Sequence, residues 1–175
     1  SAFTGETRIG GGTLEIQRTG ALGSGQVTIG ASAVLSVNVV ASERVVLNNA
    51  LAGDGYLVKQ SLGTLVVGSS GNQFLGTRLE EGVLDVVSGT ALGKSLRLNG
   101  GTLSGSSSLD FSIPVAVGGT LSVAPKAGTV TEISGGFSGN GTLVKSGEGV
   151  LKISGTISIA SGVLEVVGAQ NGSSG

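Results

Sequence analysis

The sequence predicts an all-β fold, a right-handed parallel β-helix of about seven to eight rungs. Three observations lead there. The chain contains direct internal repeats, it is built of short stretches with apolar residues two apart, and it has no stretch with apolar residues at the three-to-four spacing of a helix.

The repeats come first. Gly12-Thr13-Leu14-Glu15-Ile16 is followed by Thr19-Gly20-Ala21-Leu22-Gly23, and Gly82-Val83-Leu84-Asp85-Val86 is followed by Gly89-Thr90-Ala91-Leu92-Gly93. The opening phrase returns as Gly162-Val163-Leu164-Glu165-Val166. Separately, Gly53-Asp54-Gly55-Tyr56-Leu57-Val58-Lys59 recurs as Gly139-Asn140-Gly141-Thr142-Leu143-Val144-Lys145. The chain therefore holds about two copies of a long unit and the start of a third.

A finer beat runs inside each unit. In chain order the apolar pairs are Leu14/Ile16, Val27/Ile29, Leu35/Val37, Leu65/Val67, Leu84/Val86, Leu96/Leu98, Leu121/Val123, Leu151/Ile153 and Leu164/Val166. Residues two apart share one face of a strand, so each pair marks a strand with one apolar side. Gly, Ser, Asn and Thr separate the pairs, as suits a path that turns every few residues. A sandwich would also accept short strands, but it calls for two-residue hairpin signals. Asn140-Gly141 lies inside a repeated phrase and Asn171-Gly172 lies near the end, so a solenoid is the better fit. At roughly 20–25 residues per rung and about 4.8 Å of rise, the rod would be on the order of 35–40 Å long.

Composition narrows the chemistry. The 175 residues include 34 Gly and 2 Pro without a Gly-X-Y period, which excludes collagen. Apolar residues are too plentiful for a disordered chain. A net charge of −1, with acids and bases mixed along the length, gives no basic run for a nucleic-acid partner. Cys and His are absent, which removes disulfides, thiolate metal sites, thiol nucleophiles and the commonest general base. Met is absent too, so the chain is expected to be a mature or excised fragment. Residues 1–170 are expected to form a single β-helix segment, with 171–175 a flexible tail or an expression remnant.

The residues from Gly139 to Gly155, G-N-G-T-L-V-K-S-G-E-G-V-L-K-I-S-G, resemble the autotransporter-associated β-strand repeat, also called the passenger-associated transport repeat. Gly53 to Val87 resembles a second copy, while Gly11 to Gly23 and Gly89 to Gly105 resemble the connecting rungs. The copies differ. Ser61 stands opposite Gly147 and Tyr56 opposite Thr142, and Gly71-Asn72-Gln73-Phe74 has no counterpart in the other copy. The resemblance implies a passenger region of a type V secreted protein, a structural stalk that supports outer-membrane secretion and displays a functional module. It implies export through the periplasm to the cell surface or the medium. The implied partners are adjoining passenger rungs and a C-terminal β-barrel. An adhesin or toxin segment that binds a host surface, a glycan or a second copy of itself through its side face or its ends is the alternative.

No residue is assigned as catalytic, cofactor-binding or metal-binding, and the expected role is not enzymatic. Asp54, Asp85 and Asp110 are far apart in sequence, and Glu15, Asp85 and Glu165 each fall between two inward apolar residues and should face solvent. Asp54 becomes Asn140 in the other copy, so Gly53-Asp54-Gly55 reads as a turn, not as a calcium nonapeptide. Glu80-Glu81 adds a short acidic pair. Lys59 and Lys145 are expected to be solvated turn lysines that discourage edge pairing. Asn140-Gly141-Thr142 matches the glycosylation acceptor pattern, a short motif that recurs by chance. Phe3, Tyr56, Phe74, Phe111 and Phe137 are expected to pack in the core or at turns.

Overall fold

A computed structural model describes residues 3–159 and 161–166. The 171–175 segment read as a tail lies outside the described residues. Among them the chain is all strand and turn, wound into about eight turns of a parallel β-solenoid. The first turn carries β1 (Thr7–Ile9) and β2 (Gly12–Ile16), and the second β3 (Val27–Ile29), β4 (Ala33–Asn38) and β5 (Arg44–Leu47). The third carries β6 (Leu51–Gly53), β7 (Tyr56–Gln60) and β8 (Thr64–Val67). Turns four and five have two strands each: β9 (Gly76–Leu79) with β10 (Val83–Val86), then β11 (Leu96–Leu98) with β12 (Thr102–Gly105). The sixth turn has β13 (Leu109–Phe111), β14 (Val115–Val117) and β15 (Thr120–Pro125). The seventh has β16 (Val130–Ile133), β17 (Phe137–Gly139) and β18 (Thr142–Lys145), and the eighth β19 (Val150–Ile153), β20 (Ile157–Ile159) and β21 (Val163–Val166).

These strands form two long sheets and a broken third. β2, β4, β7, β9, β11, β14, β17 and β20 make an eight-stranded sheet, and β5, β8, β10, β12, β15, β18 and β21 a seven-stranded one. The third face consists of β1-β3-β6 at one end and β13-β16-β19 at the other, with no strand between them at turns four and five. Thr77 lies opposite Leu96 and Val27 opposite Leu51, so a turn takes about 19 to 24 residues. The sequence estimate is therefore right in number of rungs and in rung length.

The apolar pairs occupy the positions their spacing predicts. In the eight-stranded sheet Leu14, Leu35, Leu57, Thr77, Leu96, Val115 and Phe137 stack in one ladder. In the seven-stranded sheet Val45, Leu65, Leu84, Leu103 and Val123 form another, with Leu47, Val67 and Val86 beside it. Nearly all of these side chains are buried, and each fully buried aliphatic one stabilises the fold by about 1.5–3 kcal/mol. Thr77 interrupts its ladder at little cost because its hydroxyl donates to the Leu92 carbonyl at 3.0 Å. Phe74, Phe111 and Phe137 are core residues as expected, whereas Phe3 is 58% exposed.

Where the third face lacks strands, an isolated Ala52–Gln73 bridge and a backbone bond from Asn72 to Thr90 keep part of the pairing, and a side-chain amide adds to it. The buried Asn72 amide donates to the Ala91 carbonyl at 2.8 Å, and its oxygen accepts from the Leu51 N–H at 3.0 Å. One side chain thus links turns three, four and five. Phe74 and Leu92 fill the interior beneath it.

Two non-glycine residues adopt left-handed backbone, Ser42 at φ 70° and Ser61 at φ 64°. That conformation costs an L-residue roughly 1–2 kcal/mol and costs glycine almost nothing. Ser61 stands where the other copy has Gly147 at φ 72°, so the turn keeps its shape while the residue changes. Ser42→Gly is expected to stabilise the chain by about 1 kcal/mol. Ser61→Gly should be near neutral, because Ser61 donates its hydroxyl to Asn38 and that bond would be lost. Urea midpoints of the two variants test the contrast, and equal midpoints would contradict it.

Candidate functional site

The repeated lysines have a role the sequence reading missed. Lys59 is not a solvated turn residue: it is fully buried, at 0% exposure, and it occupies the inward ladder between Val37 and Leu79. Its stem completes the apolar column, and its ammonium donates to the carbonyls of Gln60 at 2.7 Å, of Ser61, and of Glu81 one turn further on at 3.1 Å. Burial pushes the ammonium down to about 8, with the charge of Glu81 acting the other way. Lys145 makes the matching contact, donating to the Gly147 carbonyl at 2.7 Å, from a half-buried position. The lysine of the repeated phrase is thus a cap for the turn that follows it, and the ordinary alternation rule contained the signal. Lys59 is two residues from inward Leu57 and must share its face.

The phrases also do not recur at one place around the rod. β7 belongs to the eight-stranded sheet and β18, with the same phrase, to the seven-stranded sheet. Glu15 likewise lies in the eight-stranded sheet, while Asp85 and Glu165 lie on strands of the seven-stranded one. A glycine corner followed by a strand with two inward residues serves at either corner of the cross-section, so the repeat specifies a local bend and not a compass direction.

The acids are spread over different faces. Asp54 is exposed at the turn before β7, and Asp85 sits between Val66 and Ser104 in register. Asp110 is opposite Glu132, which is opposite Lys152. Serines from the following turn occupy these carboxylates, Ser134 on Asp110 and Ser154 on Glu132. The Ser154 hydroxyl and the Lys152 ammonium hold Glu132 below the usual carboxylate range. Glu15 faces outward and accepts from Gln17 at 2.8 Å. Glu80 accepts from both sides of the Asn99 amide nitrogen, at 3.0 Å to each carboxylate oxygen, and Glu81 is exposed at the next corner. Among the described residues no three His, Cys, Asp or Glu side chains group as metal ligands. Asn140 is exposed at the β17–β18 turn.

Two outward arginines were not singled out from the sequence. Arg78 and Arg97 are register partners on β9 and β11, each between two inward residues. The Arg78 guanidinium lies 4.1 Å from the centre of the Tyr56 ring, and Arg97 Nε donates to the Asn99 side-chain oxygen at 3.3 Å. Their signal was the Thr-Arg-Leu and Leu-Arg-Leu pattern, which places a cation outward on consecutive turns. Beside them, where the third face has no strands, a surface cavity of about 390 Å³ is lined by Gln73, Thr90, Lys94 and Ser112 among others.

A long stack of parallel strands, with an apolar interior and its polar groups engaged with one another outside, defines a parallel β-solenoid. The chain is 34% identical over 169 residues to the protein described as adhesin BmaC autotransporter, of Brucella suis biovar 1 (strain 1330). The match covers 90% of this chain and 5% of that protein. No protein-family model matches the chain, and no solved structure matches it significantly. The identity across nine-tenths of the chain and the parallel solenoid together fit an autotransporter passenger domain.

Proposed function

We propose that this chain is a structural stalk segment of an autotransporter passenger, which supports secretion across the outer membrane and holds a functional module at the cell surface or in the medium. The observation that carries the reading is the unbroken stacking of the eight-stranded sheet from β2 to β20. Such a stack lengthens one turn at a time, and each added turn buries the apolar ladder of the last. β2 and β20 each have one neighbour in that sheet, and adjoining passenger rungs are the natural partners for their open edges. The chain spans 5% of the relative's length, which suits one section of a long rod joined to other parts and to a C-terminal β-barrel. This role demands no chemistry of the side chains.

The test is made in the full-length protein on living cells. Leu57→Asp, which puts a charge into the central ladder, is expected to lower surface display severalfold, read by whole-cell antibody binding against a constant amount of barrel in the membrane. Normal display and normal distal activity after deletion of residues 1–170 would remove the stalk reading. The relative's description as an adhesin supports a second reading, in which this segment itself contacts a surface.

A further inference from the structure

We propose that the outer face of the eight-stranded sheet, at turns four and five, binds the acidic groups of an anionic polysaccharide through Arg78 and Arg97. The two residues are directly opposed in register, so their side chains leave the same face about 4.8 Å apart along the rod. Like charges placed opposite each other destabilise a sheet. Neither is in a direct ion pair: among the described residues the ion pairs are Arg8–Glu6 and Lys152–Glu132, and the nearby Glu80 carboxylate is bonded to the Asn99 amide and not to either guanidinium. Two like charges opposed in register with no direct counter-ion break a local rule of sheet pairing, as functional positions do.

The neighbours hold these cations ready without consuming them. Tyr56 supports Arg78 from beneath with its ring, and Asn99 orients Arg97 through the Nε hydrogen bond. The same Asn99 amide donates to both oxygens of Glu80, which engages the nearby carboxylate with a neutral group. The outer N–H groups of both forks remain available for a carboxylate or sulfate, which a guanidinium meets with two parallel hydrogen bonds. Such an anion would also relieve the repulsion between the arginines.

The face suits a chain of charges better than a small ion. An isolated contact to an exposed cation is worth little in water, so useful affinity requires repeated contacts along one ligand. Lys94, exposed just before β11, extends the positive groups across the turn. Asn38 and Gln60, register partners on β4 and β7, lie two residues along the strands from the arginine row, whose own members on those strands are the buried Ser36 and Val58, and offer amides that can bond sugar hydroxyls. This binding role goes beyond the stalk reading and is tested independently of secretion.

The experiment measures binding of the full chain to immobilised heparin, which carries sulfates and carboxylates, to hyaluronate, which carries carboxylates, and to uncharged dextran. Binding is expected to one or both anionic polymers and not to dextran, and it should weaken steeply between about 50 and about 200 mM salt. Arg78→Gln with Arg97→Gln should weaken it by about tenfold or more. Lys152→Gln, on the third face, should leave it unchanged. Arg78→Lys with Arg97→Lys should lose most of the affinity despite equal charge, since the fork is gone. Circular dichroism of each variant establishes that the fold is kept. Absence of binding to both anionic polymers, undiminished binding by the double Gln variant, or equal loss in Lys152→Gln would overturn the proposal. So would stronger binding to phosphatidylglycerol vesicles than to either polymer, which would assign the face to a membrane.

Discussion

Alanine at Gly53 or Gly139 is expected to cost about 3–5 kcal/mol, among the largest losses available to a one-methyl change in this chain. The two glycines hold the same place in the repeated phrase and the same backbone state, φ 107° and φ 124°, where an L side chain is strained. A Cβ at Gly53 would lie 2.2 Å from the Ile29 carbonyl oxygen, and one at Gly139 would lie 2.1 Å from that of Val117. In both cases the obstacle is the backbone of the preceding turn, which cannot yield without opening the rung spacing. Strain and overlap act together there. Gly12 separates them: it has φ 70° with nothing within 4 Å of a Cβ, so Gly12→Ala should lose only about 1 kcal/mol. Urea unfolding of the three variants checks the ranking, and equal losses at all three positions would show that close approach between turns contributes nothing.

Lys59→Ala should be comparably damaging, at about 3–5 kcal/mol. It leaves a void in the ladder between Val37 and Leu79 and removes the donor shared by three carbonyls on two turns. Lys59→Met keeps most of the volume, loses the donor, and isolates the charge. The folded ammonium titrates near 8, below its ordinary value of 10.5. Between those two values the unfolded chain holds a proton that the folded chain has released. Stability therefore rises with pH through that window and is flat below it with respect to this group. The difference between wild type and Lys59→Met, measured by urea unfolding from pH 7 to pH 11, should grow in favour of wild type across the window. A difference that stays constant would mean that Lys59 keeps an ordinary pKa in the folded chain.

Much of this architecture was legible because a strand with one buried face imposes period two, and that period is visible at Leu35/Val37 or Leu84/Val86 without any knowledge of neighbours. The rung count followed from the same pattern. Lys59 was misplaced for another reason: residue chemistry was allowed to outrank position, although Leu57 two residues earlier fixes the direction of its side chain. The break in the third face had a faint sequence sign in Gly71-Asn72-Gln73-Phe74, but the amide bridge that supplements the thinned pairing depends on Leu51 and Ala91, one turn away on either side. The pairing of Arg78 with Arg97 is of the same kind. It exists only once the register is known, since 19 residues separate them and nothing local in either strand refers to the other.

The missing strands on the third face have a mechanical meaning. Two walls of this rod are continuous ladders of hydrogen bonds, and the remaining wall is thinned over turns four and five to the Ala52–Gln73 bridge, a backbone bond from Asn72 to Thr90 and the Asn72 side chain. A beam with one wall thinned bends most easily about the thin section. Drag or tension on the displayed molecule should therefore concentrate curvature at Asn72, in the plane that opens or closes the gap, while the two intact walls carry the load along its length.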